Sequence, residues 1–102
     1  MDDEYDTIFM HQYDLVFRQG LFYKKFSNVP FTGEIDGYED GKIIKGLKEG
    51  EWLYYDEDGQ LESKRNYKKG IKDGVWVYYS ADGELWKTIV YKDGKLISET
   101  KH

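Results

Sequence analysis

Between residues 50 and 98 the polar and apolar positions follow a pattern that is stated twice. Gly50, Trp52, Tyr54, Tyr55, Gly59, Leu61, Tyr67 and Gly70 return as Gly74, Trp76, Tyr78, Tyr79, Gly83, Leu85, Tyr91 and Gly94, each pair 24 residues apart. Agreement at one fixed offset marks an array of a single supersecondary unit. Within it, Trp52-Leu53-Tyr54-Tyr55 is an aromatic and aliphatic run suited to a half-buried strand. Asp56-Glu57-Asp58-Gly59 follows, and Asp-Gly between two such runs is a strong hairpin signal. Leu61 to Tyr67 predicts the return strand, with Leu61 and Tyr67 on one face and Glu62, Lys64 and Asn66 on a wet one. Lys68-Lys69-Gly70 closes the unit. Each unit is expected to be one β-hairpin.

The flanks extend the pattern less regularly. Leu15-Val16-Phe17 and Leu21-Phe22-Tyr23, joined by Arg18-Gln19-Gly20, predict a hairpin with a three-residue loop. Pro30 marks a break, since it cannot donate to a ladder. Phe31 to Ile35 begins a degenerate unit, with Gly33 in the place of Gly50 and Ile35 in that of Trp52. Asp40-Gly41 is its expected turn, and Ile43 the counterpart of Leu61. Four Asp-Gly turns (40–41, 58–59, 82–83, 93–94) then punctuate the body, and residues 95–100 form a terminal strand whose charges suit an exposed edge. The division expected is an acidic segment 1–14 and a repeat domain 15–102, with units at about 31–49, 50–73 and 74–98. Ile8-Phe9-Met10 is apolar enough to dock on that domain. The fold class is all-β: one elongated, twisted antiparallel meander of successive hairpins.

Composition supports this and narrows function. The 102 residues suit one domain, with 18% aromatics and a single proline. The absence of cysteine removes disulfides, thiolate metal sites and a cysteine nucleophile. An acidic start, Met1-Asp2-Asp3-Glu4, is unlike a secretory signal, and no apolar run reaches the roughly 20 residues that span a bilayer. A cytoplasmic chain with no membrane insertion is expected. The net charge of -5 resides in residues 1–14, where Asp2, Asp3, Glu4, Asp6 and Asp14 stand without a Lys or Arg. The body is neutral, which offers no footprint for nucleic acid.

No catalytic set is visible, so an enzyme is not expected. His11 and His102 stand apart, without the nucleophile and orienting group that acid–base chemistry needs. Asp56-Glu57-Asp58-Gly59 lacks a calcium loop's remaining ligands, and its repeat mate Ser80-Ala81-Asp82-Gly83 has lost two acids. No catalytic residue, cofactor or metal site is assigned. What remains is a surplus of aromatics. Trp52 and Tyr54 fall on one face, Leu53 and Tyr55 on the other; Trp76 and Tyr78 oppose Val77 and Tyr79; Trp86 and Val90 oppose Leu85, Ile89 and Tyr91. A single sheet can bury one of these sets. The second is either a contact surface, with Leu53, Tyr55, Val77, Tyr79 and Trp86 as candidate partner-binding residues, or is buried by coiling of the sheet.

The repeated Gly-x-Trp-x-Tyr-Tyr-x-x-x-Gly-x-Leu…Tyr-x-x-Gly resembles the MORN-repeat variant proteins of bacteria, over roughly residues 15–98. The resemblance implies an elongated sheet of hairpins and a protein- or lipid-contact module, with many bacterial members named as antitoxins. The expectation is therefore a non-enzymatic protein–protein interaction module, an antitoxin occluding a toxin in its sharpest form. The alternative is a structural repeat protein that self-associates into a homo-oligomer without a toxin partner.

Overall fold

The computed structural model describes residues 9–11 and 14–102. The described residues form eleven strands: β1 (Phe9–His11), β2 (Leu15–Arg18), β3 (Leu21–Lys24), β4 (Gly33–Asp36), β5 (Glu39–Ile44), β6 (Leu47–Tyr55), β7 (Leu61–Lys68), β8 (Ile71–Lys72), β9 (Gly74–Tyr79), β10 (Leu85–Lys92) and β11 (Lys95–Lys101). One open sheet has the order β1-β4-β5-β6-β7-β9-β10-β11, with β8 also on β7, while β2 and β3 pair separately. Every pairing in the large sheet is antiparallel except β1 on β4. The fold is thus an all-β meander. Backbone pairing of Phe9-Met10-His11 with β4 docks this stretch at the sheet edge, whereas residues 1–8, 12 and 13 of the expected acidic head lie outside the described residues.

The hairpins close in two ways. At one end are two-residue turns, Lys45-Gly46, Lys69-Gly70 and Asp93-Gly94, with φ positive at both positions. That geometry matches the right-handed twist of paired strands. Gln19-Gly20 in the first hairpin is built alike, so its loop has two residues rather than the expected three. At the other end are longer loops, in which Gly59 N–H donates to Asp56 O at 3.0 Å and Gly83 N–H to Ser80 O at 2.9 Å. Asp56 Oδ1 additionally accepts from the backbone of Asp58 and Gln60, each at 2.9 Å.

Two expectations for the degenerate unit need correction. Asp40-Gly41 is no turn: it lies inside β5, and Gly41 pairs with Ile35. Gly33 pairs with Ile43 as Gly50 pairs with Tyr67, so Ile43 is the counterpart of Tyr67, not Leu61. The unit has lost its far tip, and its chain reverses at Gly37-Tyr38 instead. Its placement of Gly33 and Ile35 holds, because Lys45 N–H donates to Thr32 Oγ1 where Lys69 N–H donates to Glu49 and Asp93 N–H to Asp73.

Leu61 also departs from the sequence reading. A bulge between the Tyr54–Ser63 and Tyr55–Leu61 pairs takes it off the Tyr67 row. The last strand carries a further offset. Lys64 pairs with Val77, so the 24-residue repeat would set Thr88 against Lys101; Thr88 instead meets Thr100, and Lys87 meets Lys101. A one-residue slip exchanges the faces of a strand.

Candidate functional site

Strand alternation and register assemble the aromatic residues into rows across the sheet. One row runs Ile35, Gly41, then Trp52, Arg65, then Trp76, Ile89, Glu99; the next runs Glu39, Tyr54, Ser63, Tyr78, Lys87, Lys101. Trp52 and Trp76, the marks of the two units, are 0% and 2% exposed. Their indole N–H groups donate to carbonyls ten residues earlier, Trp52 to Lys42 at 3.2 Å and Trp76 to Asn66 at 2.8 Å. The repeat is therefore geometric as well as chemical.

The rings form a continuous ladder. Centroids step from Trp52 to Tyr67 at 6.5 Å, to Trp76 at 5.3 Å and to Tyr91 at 5.1 Å, all tilted or edge-on. Such offsets align ring edges with ring faces and add to burial. Cations lie over the ladder. Lys48 Nζ is 4.6 Å from the Trp52 centroid, and its mate Lys72 is 5.2 Å from that of Trp76. The Arg65 guanidinium is 3.9 Å from the Tyr54 ring and 5.4 Å from Trp76, while Lys87 lies 5.0 Å from Tyr78. Cation–π attraction of this kind contributes roughly 0.5–2 kcal/mol per contact, most where water is excluded.

The two units differ in what covers these rings. Over the first, the β2–β3 hairpin contributes Leu15 and Phe22 to a core of Phe31, Ile35, Ile43 and Trp52, with Tyr54 and Tyr67 at its margin. Phe22 N–H donates to Gly46 O and Phe31 N–H to Phe22 O, both at 2.9 Å, which fixes that lid. Beneath it Lys48 donates to Glu39 at 2.8 Å and to Tyr54 Oη at 2.7 Å, and Tyr54 and Tyr67 share a hydrogen bond at 3.2 Å. Burial pushes both phenols up to about 12. Over the second unit, Trp76 is flanked by the Tyr67 and Tyr91 rings and by the cationic groups of Arg65 and Lys72. Burial raises the Tyr78 phenol as well, opposed by the charge of Arg65.

The residues proposed from sequence occupy the opposite face and one end. Leu53 and Val77 stand on either side of Lys64, and all three are half-buried. Tyr55 lines a cleft of about 550 Å³ with His11, Gly37, Tyr38, Asp56, Glu57 and Gly59. Tyr79 lines a neighbouring one of about 460 Å³ with Leu61, Lys64 and the 81–83 loop. Trp86 is 40% exposed at a bulge in β10. Leu53, Tyr55, Val77 and Tyr79 are brought onto one side of the sheet, with Trp86 at the margin. Among the described residues no group of three His, Cys, Asp or Glu is placed to hold a metal ion, and no helix is long and apolar enough to cross a membrane.

Arg65, Lys72 and Lys87 were not singled out in the sequence, where the charges of the body only cancel. The signal was present: Lys48 and Lys72 each precede a tryptophan by four residues, hence on its face. No curated protein and no solved structure matches the chain. The family model of the MORN repeat variant matches twice, over residues 48–69 and 72–93. These two stretches hold both tryptophans, both lysines above them and the ladder tyrosines. Repeats of this kind suggest a module that contacts protein or membrane, and over these two units the chain is similar to the MORN repeat variant.

Proposed function

We propose that the chain is a non-enzymatic binding module whose partner is another protein. The observation that carries this is the asymmetry of the aromatic face: the first unit is roofed by the β2–β3 hairpin, whereas over the second no hairpin lies, and Trp76, Tyr78 and Tyr91 are covered by one another, by Tyr67 and by the cationic side chains of Arg65, Lys72 and Lys87. Tyrosine, tryptophan and arginine are the residues that dominate protein contact energies. The finer form of the reading is an antitoxin that neutralises a toxin by covering it, which the resemblance to bacterial MORN-variant proteins supports. Leu53, Tyr55, Val77, Tyr79 and Trp86 offer a second contact area on the opposite side and margin.

Affinity capture from the native host followed by hydrogen exchange on the purified complex tests this. Protection of residues 65–91 by a specific partner is the expected result, and coexpression should relieve toxicity if that partner is a toxin. Protection confined to residues 53–55 and 77–79 would move the contact to the other face. Self-association through β11 is a second reading, favoured by Leu96 and Ile97, 59% and 60% exposed on that edge strand. A mass that rises with concentration in light scattering would support it.

A further inference from the structure

We infer that the unroofed half of the aromatic face recognises an acidic protein segment, its carboxylates taken by Arg65, Lys72, Lys87 and Lys101; this rests on the protein-binding reading above. Four observations converge. Among the described residues the one ion pair is Lys48–Glu39, under the lid, so these four cations face no carboxylate at ion-pair distance. Lys87 and Lys101 are direct cross-strand partners, an arrangement that like charges disfavour. The slip of β11 is what turns Lys101 toward Lys87; the acid that register brings onto this half is Glu99, opposite Ile89. An incoming carboxylate between the two lysines relieves their repulsion, so the pair is costly alone and favourable in a complex.

The geometry also selects among anions. Single-stranded nucleic acid needs open ring faces on which bases stack. Here Trp52 and Trp76 are buried edge-on among tyrosines, with cations already over them. Neither of these two indole faces is left open for stacking. A chain of net charge -5 is repelled at long range by a polyanion or an anionic bilayer. A short acidic segment meets the local positive stripe without that penalty, since exposed charges beyond about 8–10 Å are screened at physiological salt. Arg65 is preset for a carboxylate: its Nε–H donates to buried Ser63 Oγ at 3.0 Å, holding the guanidinium in place. The ammonium groups of Lys72 and Lys87, each 5.0 Å from the Tyr91 and Tyr78 ring centroids respectively, complete the stripe.

The test uses a fluorescent ten-residue Glu/Asp peptide, its Gln/Asn counterpart, oligo(dT) and vesicles containing phosphatidylserine. The acidic peptide is expected to bind the full chain at low salt, to weaken with added salt, and to shift amide resonances of residues 65–91. The K72Q/K87Q variant should lose at least tenfold in affinity while keeping its near-ultraviolet circular dichroism, and K24Q, at an exposed position of the β2–β3 hairpin, should bind as wild type. Absence of peptide binding, equal binding by K72Q/K87Q, or stronger binding of the oligonucleotide or vesicles would overturn the inference. Peptide binding seen only after removal of residues 1–8 would do so too, assigning the stripe to the chain's own acidic head. A protein partner captured on the full chain whose binding K72Q/K87Q leaves unchanged would sink this site and leave the protein-binding reading intact.

Discussion

Trp52 lies against the backbone of Gly41, and a methyl group there would fall within the indole ring. The 24-residue mate of Gly41 is Arg65, so the same lattice position is emptied under one tryptophan and filled beside the next. Gly41→Ala should therefore destabilise by about 3 kcal/mol or more, at the upper end of overpacking penalties, read as the urea midpoint. Trp76→Ala should cost about 3–5 kcal/mol, as core aromatic truncations do. Phe26 is the converse case: its side chain is fully exposed and its φ is 67°. Phe26→Gly should raise the melting temperature, because that φ is strained for any residue with a Cβ. Tyr54 and Tyr67 set the alkaline limit. Their phenols titrate near 12 when folded and near 10.0 when free. The folded state thus holds those protons more tightly, a stabilisation complete below pH 10 and lost as pH rises toward 12. Unfolding followed against pH, with phenolate absorbance, should show a transition in that window; a flat stability through pH 12 would contradict it.

The hairpin is the element that the sequence exposes most clearly and in part misleads about. The Trp52-to-Tyr55 strand follows from its aromatic and aliphatic run and the Leu61-to-Tyr67 strand from alternation, and the 24-residue offset predicts the second pair from the first. Asp40-Gly41 fails as a turn because a dipeptide signal is blind to what packs on it: here glycine serves a close tertiary approach, which only the fold reveals. Leu61 is misplaced for a related reason, since a bulge adds one residue to one strand and parity counting cannot see it. The cationic half of the site was within reach of parity, but its significance depends on which unit the β2–β3 hairpin roofs, a long-range fact. Two of the turns are tied to the preceding unit by a carboxylate, Glu49 Oε1 accepting from Lys69 N–H at 2.8 Å and Asp73 Oδ1 from Asp93 N–H at 3.0 Å. Glu49→Ala and Asp73→Ala should each cost about 1 kcal/mol, the net value of one such bond. The two losses should add, as distant sites usually do; a strongly non-additive double mutant would argue against separate links.

At the scale of the whole molecule the sheet is a short one-dimensional array, in which each unit touches mainly its neighbours. Stability in such arrays is close to a sum of unit and interface contributions. Inserting a second copy of residues 70–93 after Asp93 should hence give a folded chain with a higher melting temperature and one more tryptophan shielded from quenchers. Loss of folding on insertion would mean that the units are not interchangeable. The strand Lys95–Lys101 also bears on how the family could lengthen this protein. Because its pairing is out of phase with the units before it, a hairpin appended after His102 would present its aromatics to the wrong side. Copies inserted upstream of Lys95 keep the phase, and this final strand then rides outward unchanged as the array gets longer, like the bound end of a woven strip.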